Sequence, residues 1–374
     1  MFCIFLWNEL KLGNYLYTAG GGLNSFKIIV MKIQLLHTYN DIIKLENLLL
    51  AWEDFLVGKK EKVDVELFSC DLMDHIVSLH QDLANFTYRH GGYESFFVND
   101  PKRRHIHKAL VRDRLLHHAI YRILYPFFDK TFIGDSYSCR LDKGTHKAIN
   151  HFRSLTYKVS QNHTRTCWIL KCDIKKFFNS IDHNILKNIL KQYIPDENIL
   201  KLLEDVIESY SARPPHPCAP LLVKERGGVG LPLGNLTSQL FANIYLNKLD
   251  QFIKHKLKAR YYIRYADDFV ILSHDRQWLV ELILKIKDFV QNELSLVLHP
   301  DKLFIKTVAS GMDFLGWVLF DDHRVLRTKT KKRMFARIEI HPTEGTLRSY
   351  LGLVKHGNEH ASKSKILQKV ALLH

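Results

Sequence analysis

The sequence predicts an α+β fold in which helices back an antiparallel sheet. Three observations indicate this fold. The middle of the chain alternates apolar strand-like segments with amphipathic helices, in the order strand, helix, helix, hairpin, helix, strand. A stretch with apolar residues at helical spacing precedes it, and a basic helical stretch follows. With 374 residues, 46% of them apolar, the chain can bury a large core and divides into two or three subdomains.

The N-terminal part is predicted to be helical. Residues 42–56 (IIKLENLLLAWEDFL) and 72–86 (LMDHIVSLHQDLANF) predict two helices, and residues 106–128 predict a third that ends near Pro126. Residues 1–35, with three consecutive glycines at 20–22, fit this pattern poorly. They are therefore predicted to be an N-terminal extension, with Met31 as an alternative start.

The central part predicts the sheet. Residues 167–174 (CWILKCDI) predict a buried strand, and Ser180 or Asp182 caps the helix that follows. Residues 211–235 are rich in proline and glycine and predict a loop, after which Thr237 or Ser238 caps an amphipathic helix. Residues 261–273 (YYIRYADDFVILS) predict a hairpin that turns at 266–268. A helix over 277–294 and a strand at 314–320 (FLGWVLF) complete the pattern.

Positive charge is concentrated in two blocks. Of the net charge of +15, residues 101–147 carry +7, residues 324–374 carry +9, and the remainder sums to −1. Two basic surfaces suit a protein that holds a polyanion from two sides, although solvated basic helices would also explain them. No apolar run is long enough to span a bilayer, and the six cysteines form no disulfide framework. These features predict a cytoplasmic protein without a membrane partner.

Three aspartates are candidate catalytic residues. Asp173 ends a predicted strand, and Asp267 and Asp268 occupy the predicted hairpin turn. If the strands are neighbours, a spacing of about 4.8 Å brings the carboxylates to one edge of the sheet. Carboxylates are ligands that Mg²⁺ prefers, and two such ions can activate a hydroxyl and stabilise a leaving pyrophosphate. The pattern indicates nucleotidyl transfer, whereas a simple β-turn would also explain the paired aspartates.

Several segments, in this order, resemble the motifs of reverse transcriptases. The palm motifs are similar to residues 172–186 (CDIKKFFNSIDHNIL), 230–250 (GLPLGNLTSQLFANIYLNKLD), 262–272 (YIRYADDFVIL), 294–302 (LSLVLHPDK) and 314–317 (FLGW). The fingers motifs, especially of the bacterial branch related to group II introns, are similar to residues 101–121 (PKRRHIHKALVRDRLLHHAIY) and 135–148 (DSYSCRLDKGTHKA). The resemblance implies a right-hand polymerase fold, with N-terminal helices and fingers at 36–165, palm at 166–320 and a short basic helical thumb at 321–374.

The resemblance also assigns site residues. The implied catalytic residues are Asp173, Asp267, Asp268 and Lys302, where the lysine would protonate the leaving pyrophosphate. Two Mg²⁺ ions, with Mn²⁺ as an alternative, would be held by the three aspartates and the Ile174 carbonyl. The implied nucleotide-binding residues are Lys102, Arg104, Arg140, Lys143, Phe178, Leu233 and Gly234. The implied primer grip is Phe314, Leu315, Gly316 and Trp317. Outside the aspartates, each residue could equally be a solvated cation or a core residue.

Residues 233–239 (LGNLTSQ) distinguish one branch of the family. Group II intron enzymes typically have glutamine before the glycine and proline after the serine. Leu233 and Gln239 instead match the form in diversity-generating retroelement reverse transcriptases. Leucine cannot donate the hydrogen bond of a glutamine amide, so the resemblance implies error-prone copying of RNA into cDNA.

The resemblance implies four kinds of partner: an RNA template, a DNA or RNA primer, dNTPs and a small basic accessory protein. Two other functions remain open from the sequence. One is a group II intron-like or phage-defence reverse transcriptase, and the other is a non-catalytic RNA-binding scaffold.

Overall fold

The computed structural model describes residues 33–99, 103–212 and 228–371. Three sequence predictions therefore lie outside the described residues: the extension before residue 33 with its alternative start at Met31, the nucleotide contact by Lys102, and most of the loop at 211–235. The remaining predictions can be compared with the structure.

Four helices open the described chain, where the sequence predicted two. They are α1 (Tyr39–Ile43), α2 (Leu45–Leu56), α3 (Val63–Cys70) and α4 (Leu72–Ala84). The first predicted helix is divided at Lys44, whose backbone is extended with ψ of 141°. The apolar face of α2 buries Leu48, Trp52 and Phe55 in the main core, against the long helix that follows.

A hairpin precedes that long helix. It consists of β1 (Tyr93–Val98) and β2 (Arg104–Ala109), which pair antiparallel, and α5 (Val111–Thr131) and α6 (Thr145–Val159) follow. The prediction of a helix from residue 106 was wrong, because Ile106 pairs with Phe96 in the hairpin. The predicted end near Pro126 was also wrong, since α5 continues through this proline to Thr131. The packing of α5 in the core outweighs the loss of one helical hydrogen bond at Pro126, which has no backbone N–H.

The central sheet has four antiparallel strands. They are β3 (Trp168–Asp173), β4 (Tyr262–Tyr265), β5 (Asp268–Ser273) and β6 (Phe304–Thr307), in the spatial order β4-β5-β3-β6. The predicted strand at 167–174 and the hairpin turning at 266–268 are both confirmed. Every residue of β3 except the half-buried Trp168 is buried, which explains why the strand is apolar apart from Lys171 and Asp173.

Helices cover the sheet, as predicted. They are α7 (Phe177–Ser180), α8 (His183–Lys191), α9 (Glu197–Glu208), α10 (Leu236–Gln251) and α11 (Arg276–Asn292). Asp182 caps α8 by accepting a 3.0 Å hydrogen bond from the Ile185 N–H, so one of the two predicted caps is confirmed. The cap of α10 is Asn235, however, and Thr237 and Ser238 are buried inside its first turn.

A second small sheet and three helices end the described chain. The sheet contains β7 (Met312–Phe314), β8 (Trp317–Leu319) and β9 (Arg324–Leu326), and the helices are α12 (Thr328–Ile340), α13 (Glu344–Val354) and α14 (His360–Ala371). Residues 314–320 were predicted as one strand, but Leu315 and Gly316 form the turn between β7 and β8, with φ of 52° and 88°. In the described ranges, no helix is both long and apolar enough to cross a membrane.

Candidate active site

Three aspartates lie together at one end of the central sheet. Asp173 ends β3 and is the register partner of Asp268, the first residue of β5. Asp267 occupies the turn before β5, and its carbonyl accepts a 3.2 Å hydrogen bond from the Ile174 N–H. Ala266, with φ of 54°, makes this turn possible. The structure therefore places the three predicted carboxylates together, as expected from strand pairing.

Burial and like charge raise the pKa of both turn carboxyls. Burial, and then the charge of Asp173, raises the pKa of Asp267. Burial raises the pKa of Asp268 to about 6, although the neighbouring Lys171 opposes the shift. At neutral pH the Asp268 carboxyl is mostly ionised, so negative charge accumulates here at a cost in folding free energy.

Two lysines contact the carboxylates. Lys302 Nζ lies 2.7 Å from Asp173 Oδ2, and its side chain is 44% exposed. Lys171 Nζ lies 3.0 Å from Asp268 Oδ2 and donates at 2.7 Å to the Asp313 carbonyl. Sequence reasoning identified Lys302 and missed Lys171. The signal for Lys171 was a single cation inside the apolar strand WILKCD.

A buried ion pair fixes the turn that carries Asp267. Arg264 of β4 and Asp250 of α10 both have side chains that are 0% exposed, and they share two hydrogen bonds of 2.7 Å. The same guanidinium donates to the Ala266 carbonyl at 3.1 Å, and the Tyr262 hydroxyl donates to Asp250 at 2.7 Å. Sequence reasoning missed this pair too. We infer that it positions the turn.

The donor set suits Mg²⁺. The Asp268 Oδ1 atom is buried and has no hydrogen-bond partner in the structure. Two backbone hydrogen bonds fix the chain on either side of Ile174. The Asp173 carbonyl accepts from the His299 N–H at 2.7 Å, and the Lys175 N–H donates to the Val297 carbonyl. Within the described part of the chain, no three His, Cys, Asp or Glu side chains are arranged to hold a metal ion alone. An ion here would need further oxygen ligands, such as water or phosphate, which is usual for Mg²⁺.

Three of the predicted nucleotide-binding residues lie at or beside β2. Arg104 begins β2, and its charge opposes in part the burial and the Asp173 charge that raise the pKa of Asp267. The Leu233 carbonyl accepts a 2.9 Å hydrogen bond from the His107 N–H. Gly234 has φ of 111°, and a Cβ atom there would lie 2.9 Å from the Ile106 side chain. Only glycine fits this close approach without strain.

Two other residues predicted to bind the nucleotide use their side-chain donors for hydrogen bonds to neighbouring residues. Arg140 is 6% exposed and donates to the Asp129 carboxylate at 2.6 Å and to the Ile133 carbonyl at 2.7 Å. Lys143 donates to the Gly134 carbonyl at 2.8 Å. Arg140 therefore holds its loop together in this structure, and its placement disfavours a role at the triphosphate.

The predicted aromatic residues are mostly core residues. Phe178 is half-buried, with its ring 5.4 Å from that of Phe177. In the predicted primer grip, Phe314 is buried against Phe152 at a ring distance of 5.8 Å, and Trp317 is also buried. The expectation that an aromatic side chain of this motif contacts a primer is therefore not supported, since only the Leu315–Gly316 turn is accessible.

The fold and the carboxylate cluster together define the class of a nucleotidyltransferase. Residues 99–319, more than half of the chain, match the family described as reverse transcriptase (RNA-dependent DNA polymerase). The chain therefore belongs to the reverse transcriptase family, with a right-hand polymerase fold, and is an RNA-directed DNA polymerase by class. This confirms the predicted fold class and family.

The relatives include group II intron-encoded proteins. Protein YkfC of Escherichia coli (strain K12) is 25% identical over 295 residues, covering 70% of this chain and 71% of that protein. Group II intron-encoded protein LtrA of Lactococcus lactis subsp. cremoris is 24% identical over 329 residues, covering 70% of this chain but 51% of LtrA. This chain thus spans about half the length of LtrA.

A solved structure also aligns with the chain. It is telomerase from Candida albicans in complex with a fragment of telomeric RNA, with 13% identity and a TM-score of 0.49, covering 82% of this chain and 59% of that chain. A likeness at this level does not by itself establish a shared fold.

Proposed function

We propose that this chain copies RNA into cDNA by two-metal nucleotidyl transfer at Asp173, Asp267 and Asp268. The observation that carries the proposal is the register of β3 and β5, which sets Asp173 opposite Asp268. Asp173 and Asp267, with the Ile174 carbonyl, would hold Mg²⁺, or Mn²⁺ in its place. Bound Mg²⁺ would supply Lewis-acid stabilisation of the attacking and leaving oxygens. Asp268 would support the geometry of the primer end.

The two lysines have different proposed roles. Lys302 is partly exposed and makes a single contact with Asp173, so it can turn to protonate the leaving pyrophosphate. Lys171 is buried and bonded at both Asp268 and Asp313, so it cannot leave its place at low cost. We assign Lys171 as a positioning residue for Asp268.

The proposed substrates are an RNA template, a DNA or RNA primer and dNTPs. Residues 36–165 would form the N-terminal helices and fingers, 166–320 the palm, and 321–374 the basic thumb. The basic blocks at 101–147 and 324–374 would bind the nucleic-acid backbones. Phe178, five residues after Asp173, would exclude the ribose 2′-OH and favour deoxynucleotides.

We further propose error-prone synthesis in a diversity-generating retroelement, with a small basic accessory protein. The residue that supports this proposal is Leu233, whose carbonyl is held by the His107 N–H and whose side chain offers no donor. The test is misincorporation opposite template adenine. We expect Leu233→Gln to lower it relative to the native chain and to the control Leu284→Gln, a substitution on the exposed face of α11. Equal error rates in all three proteins would contradict the proposal.

A group II intron-like or phage-defence role is the second candidate, and the similarity to LtrA favours it. The flanking DNA separates the two. A retroelement requires a template repeat and a variable repeat that differ mainly at template adenines. Their absence from the flanking DNA would favour the intron-like or defence role.

Primer extension on an RNA template tests the catalytic proposal itself. The assay uses the full chain, with and without the proposed small basic accessory protein. Extension by the native chain that is lost in Asp267→Ala with Asp268→Ala supports catalysis at these carboxylates. A native chain that binds RNA but extends no primer under either condition would instead indicate an RNA-binding scaffold.

A further inference from the structure

A pocket outside the carboxylate cluster has several basic residues in its lining. It has a volume of about 210 Å³ and lies where α6, the β8–β9 connection and the loop after α13 meet. Its basic lining residues are Arg153, His323, Arg324, Lys355 and His356. Apolar side chains, among them Ile149 and Phe152, form one wall. None of the predicted catalytic or nucleotide-binding residues lines it.

The two arginines donate to neutral acceptors. Arg324 donates to the Asn150 side-chain oxygen at 3.0 Å and to the His356 carbonyl, and Arg153 donates to the Asp322 carbonyl at 3.4 Å. The carboxylate of Asp322 is exposed and pairs with His323 at 2.6 Å. Over the described ranges, neither arginine nor Lys355 has a carboxylate within ion-pair distance. The positive charge of the pocket is therefore largely uncompensated.

The cations are close enough to destabilise one another. Burial, and then the charge of Arg153, lowers the pKa of Arg324. The His146 ring lies 3.9 Å from the His356 ring. Burial, followed by the charges of His356 and Arg324, lowers the pKa of His146. A bound anion would offset the repulsion between these cations and favour their charged forms.

The pocket is also preformed. The Arg324 guanidinium lies over the Trp317 ring at 5.4 Å, which limits its rotation. The Asn358 N–H donates to the Arg324 carbonyl at 2.8 Å, so the loop after α13 is fixed to β9. Gly357 lies directly against Trp317, where a Cβ atom would collide with the ring. Because these groups are already fixed, binding a ligand would cost little conformational entropy.

We propose that this pocket binds a phosphate group. Planar guanidinium groups match the oxygens of phosphate, and a pocket of about 210 Å³ has room for such a group. The phosphate could belong to the backbone of bound RNA or to a free phosphorylated ligand. This site is additional to the proposed polymerase site, and its test measures binding, so the two proposals can fail independently.

The first test compares two double variants that remove the same charge. Arg153→Gln with Lys355→Gln alters the pocket, and Lys158→Gln with Lys363→Gln alters exposed residues of α6 and α14 outside it. The affinity for a labelled hairpin RNA is measured over a range of salt. One lost phosphate contact lowers the log–log salt slope by about 0.7 to 0.9. We expect this decrease for the pocket variant and a smaller one for the control.

The second test uses inorganic phosphate as the probe. The Tm of the full chain is measured with phosphate and with chloride at equal ionic strength. A phosphate-specific increase that the pocket variant loses and the control variant keeps supports a site for a free phosphorylated ligand. If the pocket variant changes only the salt dependence of RNA affinity, the pocket is a site for a backbone phosphate of RNA. If pocket and control variants behave alike in both tests, the proposal is wrong.

Discussion

The carboxylate cluster and the cation pocket carry opposite charges, yet both hold like charges close together. In the cluster, the pKa values of Asp267 and Asp268 are raised, whereas those of Arg324 in the pocket and of His146 beside it are lowered. The buried pair of Arg264 and Asp250 differs from both, because each charge there is matched. Incompletely compensated charge is found at both proposed ligand sites, whereas the fully matched pair supports the structure.

The largest predicted effect concerns the compensated pair. Asp250→Ala leaves the Arg264 guanidinium buried without its carboxylate, and removing one partner of such a pair costs about 3–5 kcal/mol. The free energy of unfolding, measured by urea titration, should decrease by this amount. Because Arg264 also binds the Ala266 carbonyl, primer extension should decrease as well.

A matched double variant checks the explanation. Asp250→Leu with Arg264→Met removes both charges together, so it should destabilise the protein less than Asp250→Ala alone. If the single substitution costs under about 1 kcal/mol, the pair does not contribute as described.

The second prediction concerns the carboxylate cluster, in which Lys171 compensates the charge of Asp268 only in part. The folded pKa of Asp268, about 6, exceeds the ordinary value of 3.8, so its contribution to stability is greatest below pH 4 and is lost as the pH rises through 6. Without metal, Asp268→Asn should therefore stabilise the protein at pH 7 by about 2–3 kcal/mol and have little effect at pH 4.

Unfolding in EDTA at both pH values measures this difference. The control is Asp301→Asn, which alters a carboxylate that is 87% exposed and should change stability little. Added Mg²⁺ should stabilise the native chain more than the Asp268→Asn variant. A destabilised Asp268→Asn protein at pH 7 would show that Lys171 fully compensates this charge.

The smallest effect is expected in the pocket. Arg153→Gln with Lys355→Gln removes repelling charges that are mainly exposed, so stability in phosphate-free buffer should change by no more than about 0.5 kcal/mol, towards greater stability. Thermal unfolding at low salt measures it. A clear loss of stability would mean that these cations stabilise the fold instead of forming a ligand site.

Local patterns predicted the end of the sheet that carries the three aspartates well. The apolar run before Asp173 and the hairpin around Asp267 each follow from local sequence, and their pairing follows from the order of elements. The β2 strand (Arg104–Ala109) was missed because only Leu110 separates it from α5, so its residues were assigned to the helical pattern that follows. The turn at Leu315 was missed because a leucine with positive φ is uncommon.

Buried charges were the main features that the sequence did not reveal. Lys171 and Arg264 each stand alone in an apolar strand, a pattern that also fits an edge position facing solvent. Their function depends on Asp268 and Asp250, which are 97 and 14 residues away along the chain. The cation pocket is equally non-local, since α6 and the loop after α13 contribute to it together.

The Mg²⁺ dependence of primer extension on an RNA template tests the central claim most directly. We predict that the native chain extends the primer in a saturable response to Mg²⁺. Asp267→Ala with Asp268→Ala should reduce the rate by on the order of 10³-fold, because metal ligation supplies several kcal/mol, while RNA affinity is kept. Extension by this variant within tenfold of the native rate would contradict the account.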